Sequence, residues 1–230
     1  MKLAVVIQAR LGSTRLPGKV LLEVAGQPLL LYLINRLRVH PSCPPLLVAT
    51  SDALTDDPVA RFCERHGVAV FRGAHEDVAA RFCAAVRAHR LDAFVRLSGD
   101  SPLLDPRLID RALALFVPGQ TDLVTNVFPR TFPNGQSVEC LDAARYLQAY
   151  PQFERPGDFE HVTPYFYRHP ERFRVVNFTS GQSGAVESLV IDTPADLAAF
   201  TAVRQAMTRP PESYTWEDSL ALRRQVGAPA

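Results

Sequence analysis

The chain has 230 residues, of which 47% are hydrophobic and 21% are charged. This is the composition of an ordinary globular protein, and it excludes disordered, collagen-like and coiled-coil chains. Lys plus Arg number 25 and Asp plus Glu number 24, so the formal net charge of +1 lacks the basic excess that non-specific nucleic-acid binding requires.

The first half of the chain alternates predicted strands and helices. A continuous β-branched and aliphatic run, Leu3–Ile7, has the pattern of a strand buried on both faces. Further strands are predicted at Leu46–Thr50, Val68–Phe71, Ala93–Leu97 and Asp122–Thr125. The intervening helices are predicted at Leu29–Leu37, Asp56–His66, Glu76–His89 and Pro106–Phe116. This alternation is typical of a parallel sheet with helices on both faces.

The pattern changes after Asn126, where Pro and aromatic residues become frequent. Here we predict two strands, at Arg174–Phe178 and Ser188–Ile191. We predict helices at Ala143–Ala149, Asp158–Tyr167, Pro194–Met207 and Trp216–Val226. The sequence has neither an internal repeat nor a linker long enough to separate domains. It therefore predicts one α/β domain with a mostly parallel sheet and a small inserted or appended edge region.

The location of the protein can also be predicted from the sequence. The apolar run Leu3–Ile7 is too short for a signal peptide, and no stretch approaches the ~20 apolar residues of a membrane span. The four cysteines are widely spaced without a Cys-x-x-Cys pair, which indicates reduced thiols, with a disulfide or a metal site as the alternative. We expect a cytoplasmic protein without membrane insertion and without a nucleic-acid partner.

The loop that follows the first predicted strand carries the strongest functional pattern. Between Ile7 and Lys19 it holds two glycines, two hydroxyl side chains and three cations, namely Gly12, Gly18, Ser13, Thr14, Arg10, Arg15 and Lys19. Loops after parallel strands lie at the ligand-binding edge of the sheet. Glycines let backbone N–H groups approach phosphate oxygens, and the cations compensate phosphate charge. Lys19 stands out further because 23 of the 25 basic residues are Arg. The pattern predicts a polyphosphate-binding loop.

Two common phosphate-binding motifs do not fit this loop. A Walker A motif has four residues between its first Gly and its Gly-Lys pair, followed by Ser or Thr. Here five residues separate Gly12 from Gly18, and Val20 follows Lys19. The Gly-x-Gly-x-x-Gly dinucleotide motif is absent as well.

Two acids follow predicted strands. Asp100 comes directly after the strand that ends in Ser98-Gly99, and Asp192 follows Val190-Ile191. Two carboxylates at strand ends, facing a polyphosphate loop, predict a Mg²⁺ site. For Asp192 a helix N-cap is the alternative, because Thr193-Pro194 opens the next predicted helix.

These segments resemble a known family. Arg10–Lys19 is similar to the signature of the sugar cytidylyltransferases, which include the CMP-Kdo and CMP-sialic acid synthetases. Four further segments resemble the spore coat polysaccharide biosynthesis protein F branch, namely Phe71-Arg72-Gly73 with Asp77-Val78 and Arg81, Gly99–Asp105, Pro129–Gly135 and Glu160–Tyr165. The resemblance covers residues 3 to about 200.

The resemblance implies a GT-A-like nucleotide-diphosphosugar transferase fold and a Mg²⁺-dependent reaction. An acceptor oxygen of an acidic or phosphorylated sugar would attack the α-phosphorus of CTP and release pyrophosphate, in surface polysaccharide synthesis. It further implies a single nucleotidyltransferase domain with a nucleotide-binding half (1–126), an acceptor and dimer half (127–200) and C-terminal helices (201–230). A homodimer through the Pro- and aromatic-rich region 127–167 is a further hypothesis.

Carried over by position, the resemblance also assigns site residues. Arg10, Lys19 and Asp100 would be catalytic, and Asp100 with Asp192 would hold Mg²⁺. The nucleotide would be bound by Ala9, Arg10, Gly12, Ser13, Arg15, Lys19, Thr50, Ser51, Arg72, Arg81 and Ser98. The acceptor would be bound by Arg130, Glu139, Glu160 and His161. For His161 a structural role is an equal alternative.

The sequence departs from the family pattern in the acceptor half. Ser137 stands where the family commonly has an acid, and Phe159 stands where it usually has Arg. These departures leave open a changed acceptor. They are also the only support for one alternative function, a non-catalytic nucleotide-binding subunit. Independently of them, another nucleotidyl- or glycosyltransferase of the same fold stays open as the first alternative. Asp100-Ser101-Pro102 lacks the second Asp typical of glycosyltransferases with this fold, which counts against the first alternative.

Overall fold

A computed structural model of the chain describes residues 1–181 and 187–227. In this part of the chain the strands are β1 (Leu3–Gln8), β2 (Glu23–Val24), β3 (Gln27–Pro28), β4 (Leu46–Ser51), β5 (Ala69–Gly73), β6 (Ala93–Ser98), β7 (Leu123–Thr125), β8 (Glu139–Asp142) and β9 (Val175–Asn177). The α-helices are α1 (Leu29–Arg38), α2 (Asp57–Arg65), α3 (Val78–His89), α4 (Arg107–Leu115), α5 (Ala143–Ala149), α6 (Pro156–His161), α7 (Pro164–Arg168), α8 (Pro194–Ala206) and α9 (Trp216–Gly227).

Seven of these strands form one sheet in the order β5-β4-β1-β6-β8-β7-β9, and β2 with β3 forms a separate hairpin. Strand β8 runs antiparallel to both neighbours, whereas the other pairs in the sheet are parallel. In the central register Gln8 at the end of β1 lies beside Ala49 of β4 and Ser98 of β6. The carboxyl ends of three central strands therefore meet at one edge.

The core lies on both faces of the sheet. Along β1, Val5 and Ile7 pack in a cluster with α1, α2 and α4, whereas Ala4 and Val6 pack in a second cluster with α3 and α5. This alternation follows from the two-residue period of a strand and explains why β1 is apolar throughout. The predicted α/β fold, a mostly parallel sheet with helices on both faces, is confirmed.

Three sequence predictions in the second half are corrected. Strand β8 was not predicted, because its sequence Glu-Cys-Leu-Asp has acids at both ends and no β-branched residue. The predicted strand Ser188–Ile191 is only an isolated bridge between Ser188 and Asn134. The predicted helix Asp158–Tyr167 is divided into α6 and α7 at the buried Val162, whose φ of +71° cannot continue a helix.

The structure also bears on the expectations about membrane spans, cysteines and the division of the chain. No helix within residues 1–181 and 187–227 is long and apolar enough to cross a membrane. The four cysteines are free, and all except Cys43 are buried, as the spacing indicated. The division into halves stays a prediction, and residues 182–186 and 228–230 of its later segments lie outside the described residues.

Candidate active site

The predicted polyphosphate loop, residues 9–18, folds back on itself between β1 and a 3₁₀ turn at Lys19–Leu21. The Leu11 carbonyl accepts from the N–H groups of Ser13 and Gly18, at 2.8 and 3.0 Å. Gly18 has a φ of +72°, a left-handed conformation that glycine adopts without steric cost. The fold of the loop brings Lys19 back to the edge of the sheet.

A buried acid that the sequence analysis did not single out binds this loop to the neighbouring strand. Asp56 Oδ1 accepts from the Leu11 N–H at 2.7 Å, and its Oδ2 accepts from the hydroxyl of Ser51 at the end of β4. Asp56 is fully buried. The sequence showed Asp56 only as the start of a predicted helix, because its partners lie five and 45 positions away.

Replacing Asp56 by Ala is expected to reduce the free energy of unfolding by about 1–3 kcal/mol, because the Leu11 N–H and the Ser51 hydroxyl lose their acceptor. Asp56→Asn, which keeps one acceptor oxygen, is expected to lose less. Urea denaturation of both variants measures the effect, with the exposed Asp52→Ala as control. An Asp56→Ala protein as stable as the wild type would contradict this role.

Lys19 joins the two predicted metal ligands. Its Nζ donates to Asp100 Oδ2 and to Asp192 Oδ1, both at 2.6 Å. The Lys19 side chain is 12% exposed, and those of Asp100 and Asp192 are 17% and 32% exposed. Arg15 binds the other oxygen of Asp192 at 2.8 Å. Two carboxylates and two cations thus form one cluster at the carboxyl edge.

Lys19 and Asp192 stay ionised over a wide pH range. Burial lowers the pKa of Lys19, but the two carboxylates outweigh it and hold the pKa above 10.5. Burial raises the pKa of Asp192, but Lys19 and Arg15 outweigh it and hold the pKa below 3.8. The contribution of Asp192 to stability is therefore present above pH 3.8 and is lost as the pH falls through its lowered pKa. The contribution of Lys19 is present below pH 10.5 and is lost only as the pH rises through its raised pKa.

Close backbone contacts place the two acids side by side. A Cβ on Gly99 would lie 3.0 Å from the Gln8 carbonyl oxygen, so glycine lets the chain leave β6 close to β1 before Asp100 without crowding. The Asp100 carbonyl accepts from the Ile191 N–H at 3.0 Å, which brings the next residue, Asp192, beside it. The N-cap alternative for Asp192 is wrong, because the Thr193 side chain caps α8.

The cluster lies in the wall of a cavity of about 330 Å³ over the carboxyl edge of the sheet. Cations outnumber acids among its lining residues, with Arg10, Arg15, Lys19, Arg81 and Arg96 against Asp100, Glu160 and Asp192. The guanidinium of Arg10 lies 3.2 Å from Glu160, and the buried Arg81 donates to the Ala74 and His75 carbonyls. Burial, with the Arg10 charge, lowers the pKa of Arg81. The first cavity therefore suits an anionic ligand.

A second cavity, of about 390 Å³, adjoins the first. The two share the side chains of Arg96, Ser98, Asp100 and Asp192. Its lining includes Arg130, whose Nη2 donates to the Ser137 hydroxyl at 3.0 Å, while Nη1 is buried without a hydrogen-bond partner among residues 1–181 and 187–227. The carboxylate pair thus lies where the two cavities meet.

The structure brings most of the predicted site residues together. Those that line the first cavity are Ala9, Arg10, Gly12, Ser13, Arg15, Lys19, Arg81, Ser98, Asp100, Glu160, His161 and Asp192. Arg130 lines the second cavity. Four predicted residues line neither cavity: Thr50, Ser51, Arg72 and Glu139.

The contacts of those four residues explain their positions. Thr50 and Ser51 are fully buried at the end of β4. The Arg72 guanidinium lies 2.7 Å from Asp57 and donates to the Ser51 carbonyl at 3.0 Å. Glu139 is buried and accepts from other side chains. A direct ligand contact by these residues stays a prediction, and the contacts seen here support the loops of the site.

Glu139 has a partner that the sequence analysis missed, Arg96. This guanidinium binds Glu139 on one side and the Gln8 side-chain oxygen, at 2.9 Å, on the other, and it lines both cavities. An arginine inside the otherwise apolar run of β6 was the available signal, since a buried charge in a strand needs a partner.

Comparisons with known proteins agree with this geometry. The family model for cytidylyltransferases matches residues 4–215. The spore coat polysaccharide biosynthesis protein SpsF of Bacillus subtilis is 32% identical over 232 residues, covering 97% of this chain and 95% of that protein. A 3-deoxy-manno-octulosonate cytidylyltransferase of Paramagnetospirillum magneticum is 30% identical over 243 residues, covering 88% of this chain and 97% of that protein.

Among solved structures, a cytidylyltransferase from Leptospira borgpetersenii superposes with a TM-score of 0.91 at 29% identity, covering 98% of this chain and 94% of that one. The resemblance identified from the motifs is thereby confirmed. The chain belongs to the cytidylyltransferase family and is a nucleotidyltransferase enzyme.

Proposed function

We propose that this enzyme transfers CMP from CTP to an acidic or phosphorylated sugar in the cytoplasm, releasing pyrophosphate with the help of Mg²⁺. The observation that carries the proposal is the meeting of two cavities at Asp100 and Asp192. One cavity would hold the triphosphate and the other the acceptor, so that the α-phosphorus would lie between them. The name of the Bacillus subtilis relative supports a role in surface polysaccharide synthesis.

The cations of the first cavity support the nucleotide side of the proposal. Arg10, Arg15 and Lys19 line the first cavity around the loop 9–18, and they would bind the phosphate oxygens. Arg81, fixed by two backbone carbonyls, would add its charge without moving. Phosphoryl transfer requires mainly positioning and charge compensation, which these side chains can supply.

The donor set of the carboxylate pair fits Mg²⁺. Mg²⁺ prefers oxygen ligands and is commonly held by one or two carboxylates together with substrate phosphates and waters. Within the described residues no group of three or more acidic, His or Cys side chains gathers, so Asp100 and Asp192 would be the protein ligands. When bound, the metal would neutralise phosphate charge and polarise the phosphoryl oxygens.

The second cavity supports an acceptor that carries a carboxylate or a phosphate. Nη1 of Arg130 is a buried donor without a partner in the described part of the chain, and a bidentate anion would satisfy it. Burial lowers the pKa of Arg130 and Glu139 opposes this shift, but an arginine stays charged near neutral pH. Arg130 would hold the acidic group of the acceptor, and Arg96 would orient the acceptor toward the carboxylate pair. Glu160 and His161, which line the first cavity, stay predicted acceptor contacts.

Nucleotide-dependent thermal stabilisation tests the proposal without knowledge of the acceptor. CTP with Mg²⁺ is expected to stabilise the protein by about 2.7 kcal/mol at a hundred times its dissociation constant, and UTP, GTP and ATP less. Asp100→Ala is expected to abolish the Mg²⁺-dependent part of the shift. A preference for another triphosphate would contradict cytidylyl transfer, and no shift with any nucleotide would overturn the proposed site.

Size-exclusion chromatography of the same protein samples tests the proposed homodimer, which would form through residues 127–167. A species of 25 kDa at all protein concentrations would overturn this homodimer.

A further inference from the structure

The Lys19 ammonium binds the very oxygens that a metal would use. Nζ lies 2.6 Å from one oxygen of Asp100 and 2.6 Å from one oxygen of Asp192. The second oxygen of Asp192 is bound by Arg15, and the second oxygen of Asp100 by the Ser101 hydroxyl at 3.3 Å. The carboxylate pair is therefore both neutralised and occupied by groups of the protein itself.

A metal ion that binds the two oxygens now held by Lys19 would lie directly beside the ammonium. Two oxygens that bind one Mg²⁺ each lie about 2.1 Å from it, and Lys19 Nζ lies 2.6 Å from these same two oxygens. A divalent ion and an ammonium on the same oxygens would repel each other at short range, in a site of reduced dielectric. Lys19 and the metal therefore compete for Asp100 and Asp192.

A phosphate bound in the first cavity would give Lys19 an alternative anionic partner. Lys19 lines this cavity together with Arg10 and Arg15, so phosphate oxygens bound there would lie within reach of its flexible four-carbon stem. The chain has only two lysines among 25 basic residues. An ammonium is a compact charge with three freely rotating donors, whereas a guanidinium is a rigid planar fork. A lysine is thus suited to exchanging one set of anionic partners for another.

We infer that Lys19 acts as a competitor of the metal at Asp100 and Asp192 and that binding of nucleotide phosphates releases the pair by drawing Lys19 onto themselves. The metal then enters this site with or after the nucleotide and not before it. This order of binding would keep free divalent ions from occupying the pair ahead of the substrate. The inference rests on the proposed function, since it takes the pair as the metal site.

Binding of Mn²⁺, followed by the electron paramagnetic resonance signal of the free ion, tests the inference without an activity measurement. In the absence of nucleotide, Lys19→Met is expected to bind Mn²⁺ at least about tenfold more tightly than the wild type, because a full positive charge leaves the pair. Lys19→Arg keeps the charge and is expected to bind Mn²⁺ as weakly as the wild type. Lys2→Met, which removes the other lysine at an exposed position, serves as the matched control.

Addition of CTP completes the test. The wild type is expected to gain a tight Mn²⁺ site with CTP, and Asp100→Asn is expected to lose it. Near-ultraviolet circular dichroism verifies the fold of Lys19→Met, and Lys19→Gln replaces it if that variant is unfolded. Equal Mn²⁺ affinity of the wild type and the neutral Lys19 variants without nucleotide would overturn the inference.

The inference and the proposed function can fail separately. A neutral Lys19 variant that gains a Mn²⁺ site removed by Asp100→Asn, in a protein that no nucleotide stabilises, would support the competition and overturn the function. A wild-type protein that CTP stabilises but that binds Mn²⁺ equally well without CTP would support the function and overturn the competition.

Discussion

Replacing Asp100 by Asn is expected to lower the rate of CMP transfer by about 10³-fold, which corresponds to ~4 kcal/mol of transition-state stabilisation. Asp100 follows β6 directly, borders both cavities and shares Lys19 with Asp192. An amide has nearly the shape of the carboxylate but no charge, so it would bind a divalent cation weakly and would leave Lys19 with Asp192 alone. The fold is expected to persist, because the amide has nearly the same size and Asp100 lies in the lining of the two cavities.

Single-turnover release of pyrophosphate from CTP, with an acidic sugar as acceptor, measures this effect. The matched control is Asp110→Asn on α4, an acid that pairs with His40 away from both cavities and should leave the rate unchanged. An Asp100→Asn enzyme within tenfold of the wild type would show that this carboxylate is not part of the catalytic centre.

Much of the nucleotide half was predictable because its signals are local. Strand β1 is apolar on both faces, the loop to Lys19 follows it without interruption, and Gly99-Asp100 follows β6. The topology of a parallel sheet then brings these strand ends to one edge, wherever they stand in the sequence. The position of Asp192 was predicted for the wrong reason, since the segment before it is not a strand of the sheet.

The second half was less predictable because its contacts are long-range. Residues 188–191 run beside Asn134 and Asp100, and Gly135 with a φ of +91° permits an approach in which a Cβ would lie 2.9 Å from the Leu189 carbonyl carbon. Strand β8 is held by its neighbours and not by its own composition. No local pattern of residue types indicates such pairings.

The contrast between local signals and long-range contacts also applies to single side chains. Asp56 and Arg96 support the site through partners in other segments. Asp56 looked ordinary in the sequence, and Arg96 interrupted an apolar strand without revealing its partner. Glu139 was predicted to bind the acceptor, and this stays a prediction; its carboxylate pairs with Arg96, which lines both cavities. Residue type and a position at a strand end can suggest which side chains face a ligand. Residue type and position cannot distinguish the side chains that face a ligand from the side chains that hold the site in place.

Replacing Glu139 by Gln is expected to lower the free energy of unfolding by about 3–5 kcal/mol, the usual cost of breaking a buried ion pair on one side. The Glu139 side chain is 3% exposed and that of Arg96 is 14% exposed. Glu139 also accepts from Thr163 Oγ1 at 2.6 Å and from the Tyr167 hydroxyl. Burial, with the Glu139 charge, raises the pKa of Tyr167, so this hydroxyl remains a neutral donor. The variant would leave a buried guanidinium whose remaining side-chain partner is the amide of Gln8.

A double-mutant cycle distinguishes the ion pair from general disruption. Arg96→Met together with Glu139→Gln removes both charges, so the double variant is expected to lose clearly less stability than the sum of the two single variants. Glu187→Gln, in the exposed pair with Arg224, is the matched control and should cost less than about 1 kcal/mol. Urea denaturation measures the free energy of unfolding of the wild type, the two single variants, the double variant and the control. Additive losses would mean that Arg96 and Glu139 are not energetically coupled, which would contradict the ion pair as the source of the stability.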